Sequence, residues 1–243
     1  MAATAVMPTF STAGLHRAPT IEDLEISRAV YNTLPHPEDQ PEISDAMLKS
    51  VGEIFVRHGA QSTFGIHLLH GHFTAPEGTA LLGIQVPMTN TTQACWTKPV
   101  SVTELTSKSV HGHVFRGQAD SSFIAYEFHE GEVSLKAEDI DLAFFRDFTD
   151  FLNRNGLANL LAFELLDGPQ DHIEKEFQVG PQATVLFHEK DVIGLNSSTI
   201  TTGGLSKSET TGSFPARVGR FIRPRKTHMG SSWTRNLFLL LRL

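Results

Sequence analysis

Apolar positions along the chain change period twice. Thr20-Ile21-Glu22-Asp23 sets a hydroxyl three residues ahead of an acid, the pattern of a capping box, and predicts a helix that opens at Ile21 and closes before Pro35. The proline-rich stretch Leu34 to Pro41 gives way to Ile43, Met47, Val51, Ile54 and Phe55, whose spacings of three and four predict a second helix ending at His58-Gly59. From Phe64 the period shortens. Phe64 to Phe73, the turn Thr74 to Gly78, and Thr79 to Met88 read as two strands joined in a hairpin, with a helix through Phe64 to His70 as the competing reading. Further strands are predicted at Val110 to Arg116, Phe123 to His129, Leu160 to Leu166 and Ala183 to Phe187. Glu138 to Asn155 is the clearest helix, with Ile140, Phe144, Phe148, Phe151 and Leu152 on one face, acids in its first turn and Gly156 at its end.

Helices that precede and interrupt hairpin-linked strands predict an α+β fold: one mainly antiparallel sheet or partial barrel, packed with two to three helices. The 243 residues, 40% hydrophobic, suffice for one sizeable core. The pattern divides them into a loose N-terminal arm over 1–19, a single domain over 20–194, and a low-complexity tail over 195–243 that reads as disordered or loosely docked. The apolar end, Trp233 to Leu243, reads as a docking helix or a misread exon boundary.

The longest apolar run near either end, Leu237 to Leu241, is far short of a membrane span, and Met1 to Thr20 lacks the layout of a secretory signal. With a single cysteine, Cys95, an intramolecular disulfide and cysteine-ligated clusters are excluded, and a cytoplasmic location is the expectation. The net charge of −7 conceals an asymmetry: seven bases and no acid follow Thr210, leaving 13 bases and 27 acids in the first 209 residues. An acidic body argues against nucleic acid, whose binding is driven by neutralising phosphates. The expected partner is a small molecule, with no membrane and no nucleic acid.

Twelve histidines supply the candidate chemistry. His70-Gly71-His72 and His111-Gly112-His113 repeat one pattern, and on a strand residues i and i+2 share a face, so each pair would present two imidazoles side by side. His70, His72, His111 and His113 are therefore candidate metal ligands, with Glu77 as a completing carboxylate and Glu127 as a ligand or proton acceptor. One divalent transition metal, iron, zinc, manganese or copper, would suit them. His67 has the opposite parity and would join His70 only on a helix. The bland alternative is that the histidines satisfy backbone groups at strand ends and the glycines mark bends. Cys95-Trp96 has no base at a recognisable spacing, so its thiol reads as inert.

Two resemblances bear on this. Gly65, His70-Gly71-His72, Glu77 and Gly83 resemble the first metal-binding motif of cupins, although both end spacings are one residue short and no second motif follows. More of the chain, roughly Glu53 to Phe187, resembles a group of uncharacterised filamentous-fungal proteins through Arg57-His58-Gly59, Phe64-Gly65, Leu68-Leu69-His70-Gly71-His72-Phe73, Val110-His111-Gly112-His113 and Tyr126-Glu127-Phe128. The group carries a Phe-Gly…Leu-Leu-His-x-His-Phe signature and is associated with secondary-metabolite genes. That resemblance singles out Gly65, His70, His72 and Glu127, and together with the paired histidines in an apolar strand setting it leads to the expectation of an enzyme of fungal secondary metabolism acting on a small apolar metabolite, with His70, His72 and Glu127 as catalytic residues. Such an enzyme would be a metal-dependent oxidoreductase or hydrolase, or a histidine acid/base isomerase, cyclase or dehydratase. The rival expectation is a non-catalytic binding or scaffolding protein with structural histidines.

Overall fold

A computed structural model describes residues 11–87, 93–118, 120, 122–132, 142–166, 174–179 and 181–188; residues 1–10, 138–141 and the 195–243 tail, on which several of the sequence expectations fall, lie outside them. Helix α1 runs Ile21–Tyr31 and opens with the predicted capping box, in which Thr20 Oγ1 accepts from the Asp23 N–H and the Asp23 carboxylate accepts from the Thr20 N–H. Helix α2 is Asp45–Arg57, α3 the short Val102–Leu105, and α4 Leu142–Arg154. The strands are β1 Phe64–Leu68, β2 Thr79–Pro87, β3 Gln93–Ser101, β4 Val110–Gly117, β5 Phe123–Glu130, β6 Leu161–Leu165, β7 Glu174–Gln178 and β8 Thr184–His188. They form one curled sheet, a half-barrel of order β1-β6-β4-β5-β2-β3-β8-β7, in which only the short β2–β5 pairing is parallel. No helix among the described residues is long and apolar enough to cross a membrane.

The predicted hairpin of Phe64 to Met88 does not form. β1 pairs with β6, Phe64 opposite Leu165, and β2 pairs with β3 and β5. Periodicity identified both strands but could not choose their neighbours, because pairing is decided by long-range contacts. β3 carries Pro99, which argues against a strand. It is tolerated because β8 pairs with β3 only over Ala94–Thr97, so Pro99 has a ladder on one side alone.

One face of the sheet carries the main core. Phe64 and Ile66 of β1, Phe115 of β4, Phe128 of β5 and Phe163 of β6 pack against Leu48, Val51 and Phe55 of α2 and Phe144, Phe145 and Phe148 of α4. Phe163 stands within 6.4 Å, centroid to centroid, of six other phenylalanine rings. The stripe predicted on α4 is thus a core stripe. Residues 12–17 also dock here: the Gly112 N–H donates to the Gly14 carbonyl and Leu15 joins the core, where the sequence suggests a loose arm.

The other face is smaller and more polar, with Leu69, Leu81, Val114, Tyr126 and Ala162 around Tyr31. Two bulges shape it. Gly112 pairs with Phe128, Val114 with Glu127, and Phe115 with Ala125, so His113 and Tyr126 are skipped by the register. The extra residue at Tyr126 lets Ala125 and Phe128, three apart, both face the phenylalanine core while Tyr126 joins the polar side. Where β2 and β5 diverge, α1 fills the gap and Ser27 Oγ donates to the Ala125 carbonyl.

Candidate functional site

Paired residues in a ladder point to the same side. Across β2, β3, β8 and β7 the register Gln85–Cys95–Leu186–Glu176 therefore sets Glu176 on the face that also carries Leu81 and Glu127. β7 ends the sheet at one edge and β1 at the other, yet Glu176 Oε2 lies 3.3 Å from His72 Nε2 and 3.9 Å from His70 Nε2. The curl of the sheet brings its two ends together over this face.

His70 and His72 do not sit on a strand. They follow β1 in a segment held by its backbone: the Leu69 N–H donates to the Leu160 carbonyl, the Gly71 N–H to the Pro35 carbonyl, the His72 N–H to Tyr31 Oη, and the Gln40 amide to the Leu69 carbonyl. The i, i+2 relation still brings the rings together, with Nε2 atoms 3.1 Å apart. His67, on β1, lies beside His70 at 5.6 Å between ring centroids without any helix, because His70 has left the strand and parity no longer governs it. His67 Nδ1 is also 3.3 Å from Glu164 Oε2, and Gly65 gives that carboxylate room, since a Cβ there would stand 2.7 Å from Glu164 Oε1.

The ligand atoms of His70, His72 and Glu176, all buried, lie within 4.8 Å of one another, a group that could hold a metal ion. The donor set suits one. A carbonyl can only accept, so the 2.6 Å contact of His70 Nδ1 with Leu68 O places the proton on Nδ1 and leaves the Nε2 lone pair facing His72 and Glu176. Spacings of 3.1, 3.3 and 3.9 Å compare with about 3.3 Å between ligand atoms of a tetrahedral site with bonds of about 2.0 Å. Without a metal the same atoms form an ion pair. Burial, reinforced by the neighbouring His72 and His67, holds His70 well below the usual histidine range; burial alone would lower His72 too, but the Glu176 carboxylate overrides it and raises the group.

The predicted residues divide between two places. Glu127 faces this group: burial raises its carboxyl, Glu176 adds to the rise, and His67, His113 and His72 oppose it. Glu77 stands exposed in the turn before β2, and the carboxylate that joins His70 and His72 is Glu176 instead. His111 and His113 gather around His129, at 6.1 and 3.7 Å between centroids, and are not part of the His70, His72, Glu176 group. Sequence reasoning missed Glu176 because nothing in Glu174 to Gln178 marks it; only the strand order brings it to the histidines. It also passed over Tyr31 and Tyr126, whose hydroxyls burial pushes well above the usual range, and Tyr126 Oη is buried with no hydrogen-bond partner among the described residues.

No family model matches the chain, and neither the curated proteins nor the solved structures contain a significant match to it.

Proposed function

We propose that this chain is an enzyme acting on a small, largely apolar metabolite in a histidine-lined pocket, with a divalent transition metal, iron, zinc, manganese or copper, held by His70, His72 and Glu176. The observation that carries the reading is the convergence of two Nε2 atoms and a buried carboxylate from opposite ends of the sheet. Two histidines and one carboxylate leave positions open for a substrate oxygen or water, and a bound metal would supply Lewis-acid activation there. Glu127, whose carboxyl burial raises above the usual carboxylate range, serves as the acid/base group. Tyr126 offers a neutral donor to a substrate oxygen, and Tyr31 holds the histidine segment in place. Fungal secondary metabolism belongs to this reading through the Phe64 to Phe73 signature, and a cytoplasmic location through the single cysteine, Cys95.

The test is elemental analysis of purified protein beside a His70→Ala, His72→Ala double variant. About one equivalent of metal per chain, lost in the folded variant, supports the proposal. Absence of metal even after reconstitution overturns it. That outcome would favour a second reading, in which the His72–Glu176 ion pair is a structural clasp between the two ends of the sheet and the protein binds a ligand without turnover.

A further inference from the structure

On the same face a second group of side chains meets two strands away from Glu176, about 10 Å by strand spacing. Cys95 of β3 and His129 of β5 lie on either side of β2, and Sγ is 3.7 Å from His129 Nε2. They meet over Gly83, the β2 residue paired with His129. A Cβ at Gly83 would stand 2.5 Å from His129 Cδ2, 2.6 Å from Nε2 and 3.0 Å from Cys95 Sγ, so only glycine lets thiol and imidazole approach across the intervening strand. The His113 ring stacks on His129 at 3.7 Å between centroids and fixes its plane, and His111 Nδ1 bonds the Gly131 carbonyl beside it. A third group points to a ligand. Thr97, two residues from Cys95 and paired with Gly83, shares this face, is 3% exposed, and its Oγ1 has no hydrogen-bond partner among the described residues.

We propose that Cys95 is a nucleophile activated by His129, and that it adds reversibly to small α,β-unsaturated carbonyl compounds whose oxygen is held by the Thr97 hydroxyl. His129 Nε2 takes the Sγ proton, sulfur bonds to the β-carbon, and the C=C π electrons move to the carbonyl oxygen as an enolate that accepts a hydrogen bond from Thr97 Oγ1. The imidazolium then returns the proton to the α-carbon; nothing is oxidised and no co-reactant is consumed. Conjugate addition fits better than acyl transfer. The backbone N–H groups around Cys95 and Gly83 lie within two-sided ladders and cannot build an oxyanion hole, which leaves the single Thr97 donor. The site needs no metal and does not depend on the proposal for His70, His72 and Glu176.

Cys95 is the one cysteine of the chain, so intact-mass spectrometry reads its modification without ambiguity. The probes are acrylamide, an unsaturated amide, and methyl methanethiosulfonate, which captures a thiolate but has no carbonyl. At pH 6.5, where an ordinary thiol is about 1% ionised, the native protein is expected to react with acrylamide about tenfold faster than the same protein in urea. His129→Asn should slow both probes about tenfold, while Thr97→Val should slow acrylamide alone. A native rate at or below the urea rate overturns the proposal, as does a folded His129→Asn protein reacting like wild type. If His129→Asn does not fold, the native-to-urea ratio decides by itself. Equal acrylamide rates in wild type and Thr97→Val overturn the assignment of the carbonyl.

Discussion

Glu176 and His72 are 3.3 Å apart although they come from opposite ends of an eight-strand order, one on β7 and the other just beyond β1. The pair is at once a clasp on the half-barrel and a pair of candidate ligands, and these two roles respond differently to metal.

If the group binds metal, adding the right ion to metal-free protein raises its melting temperature. At a free concentration a hundredfold above Kd, the gain is about 2.7 kcal/mol, or roughly 5–10 °C for a chain of this size. Glu176→Gln keeps the shape of the side chain and should lose most of that shift. A metal-dependent gain equal in the two proteins would remove Glu176 from the ligand set. Differential scanning calorimetry with and without ion reads the comparison directly.

Tyr126 holds a buried hydroxyl with no partner among the described residues, a costly arrangement. Tyr126→Phe removes the unsatisfied group and keeps the ring, so the variant should be unchanged or more stable by about 1 kcal/mol in urea unfolding. A loss of 2 kcal/mol or so would mean that the hydroxyl has a partner in solution.

Phe163 is the hub of the phenylalanine core. Phe163→Ala should cost about 3–5 kcal/mol, enough to threaten folding in a domain of ordinary stability. Chemical denaturation that shows a loss under 1 kcal/mol would contradict the packing described.

Asp23 joins the capping box of α1 to the Arg17 guanidinium, which donates to its carboxylate at 2.6 and 2.7 Å. The Arg17 bond, with Thr20, holds its carboxyl well below the usual range. A depressed folded value stabilises above the unfolded one, near 3.9, and that contribution is lost as pH falls further through the folded value. Asp23→Ala should therefore destabilise by about 1 kcal/mol near pH 7. Its gap from wild type should narrow below about pH 4, and a gap independent of pH would show that the charge contributes nothing.

Much of the site was visible before any fold was known, and the visible part has a common cause. His70 and His72 are neighbours in the chain, and a spacing of two brings their rings together whether the backbone is a strand or, as here, a segment beside one. Glu127 was legible for a similar reason, lying in a strand whose pattern was plain. Cys95 shows the opposite case. Its base is 34 residues away and meets it only across a glycine on a third strand, so no spacing could announce the pair.

By itself the sequence determined what depends on near neighbours: the capping box at Thr20, the helices α1, α2 and α4, most of the strands, and the α+β class they imply. The tertiary structure alone decided what depends on partners. It paired β1 with β6 instead of β2, set two bulges that turn Tyr126 away from the phenylalanine core, and curled the sheet until Glu176 reached His72. The reason is that capping and periodicity are satisfied within a few residues of backbone, whereas strand partners and curl are chosen by the burial of whole faces at once. Ligands gathered from both edges of a sheet therefore leave no local mark.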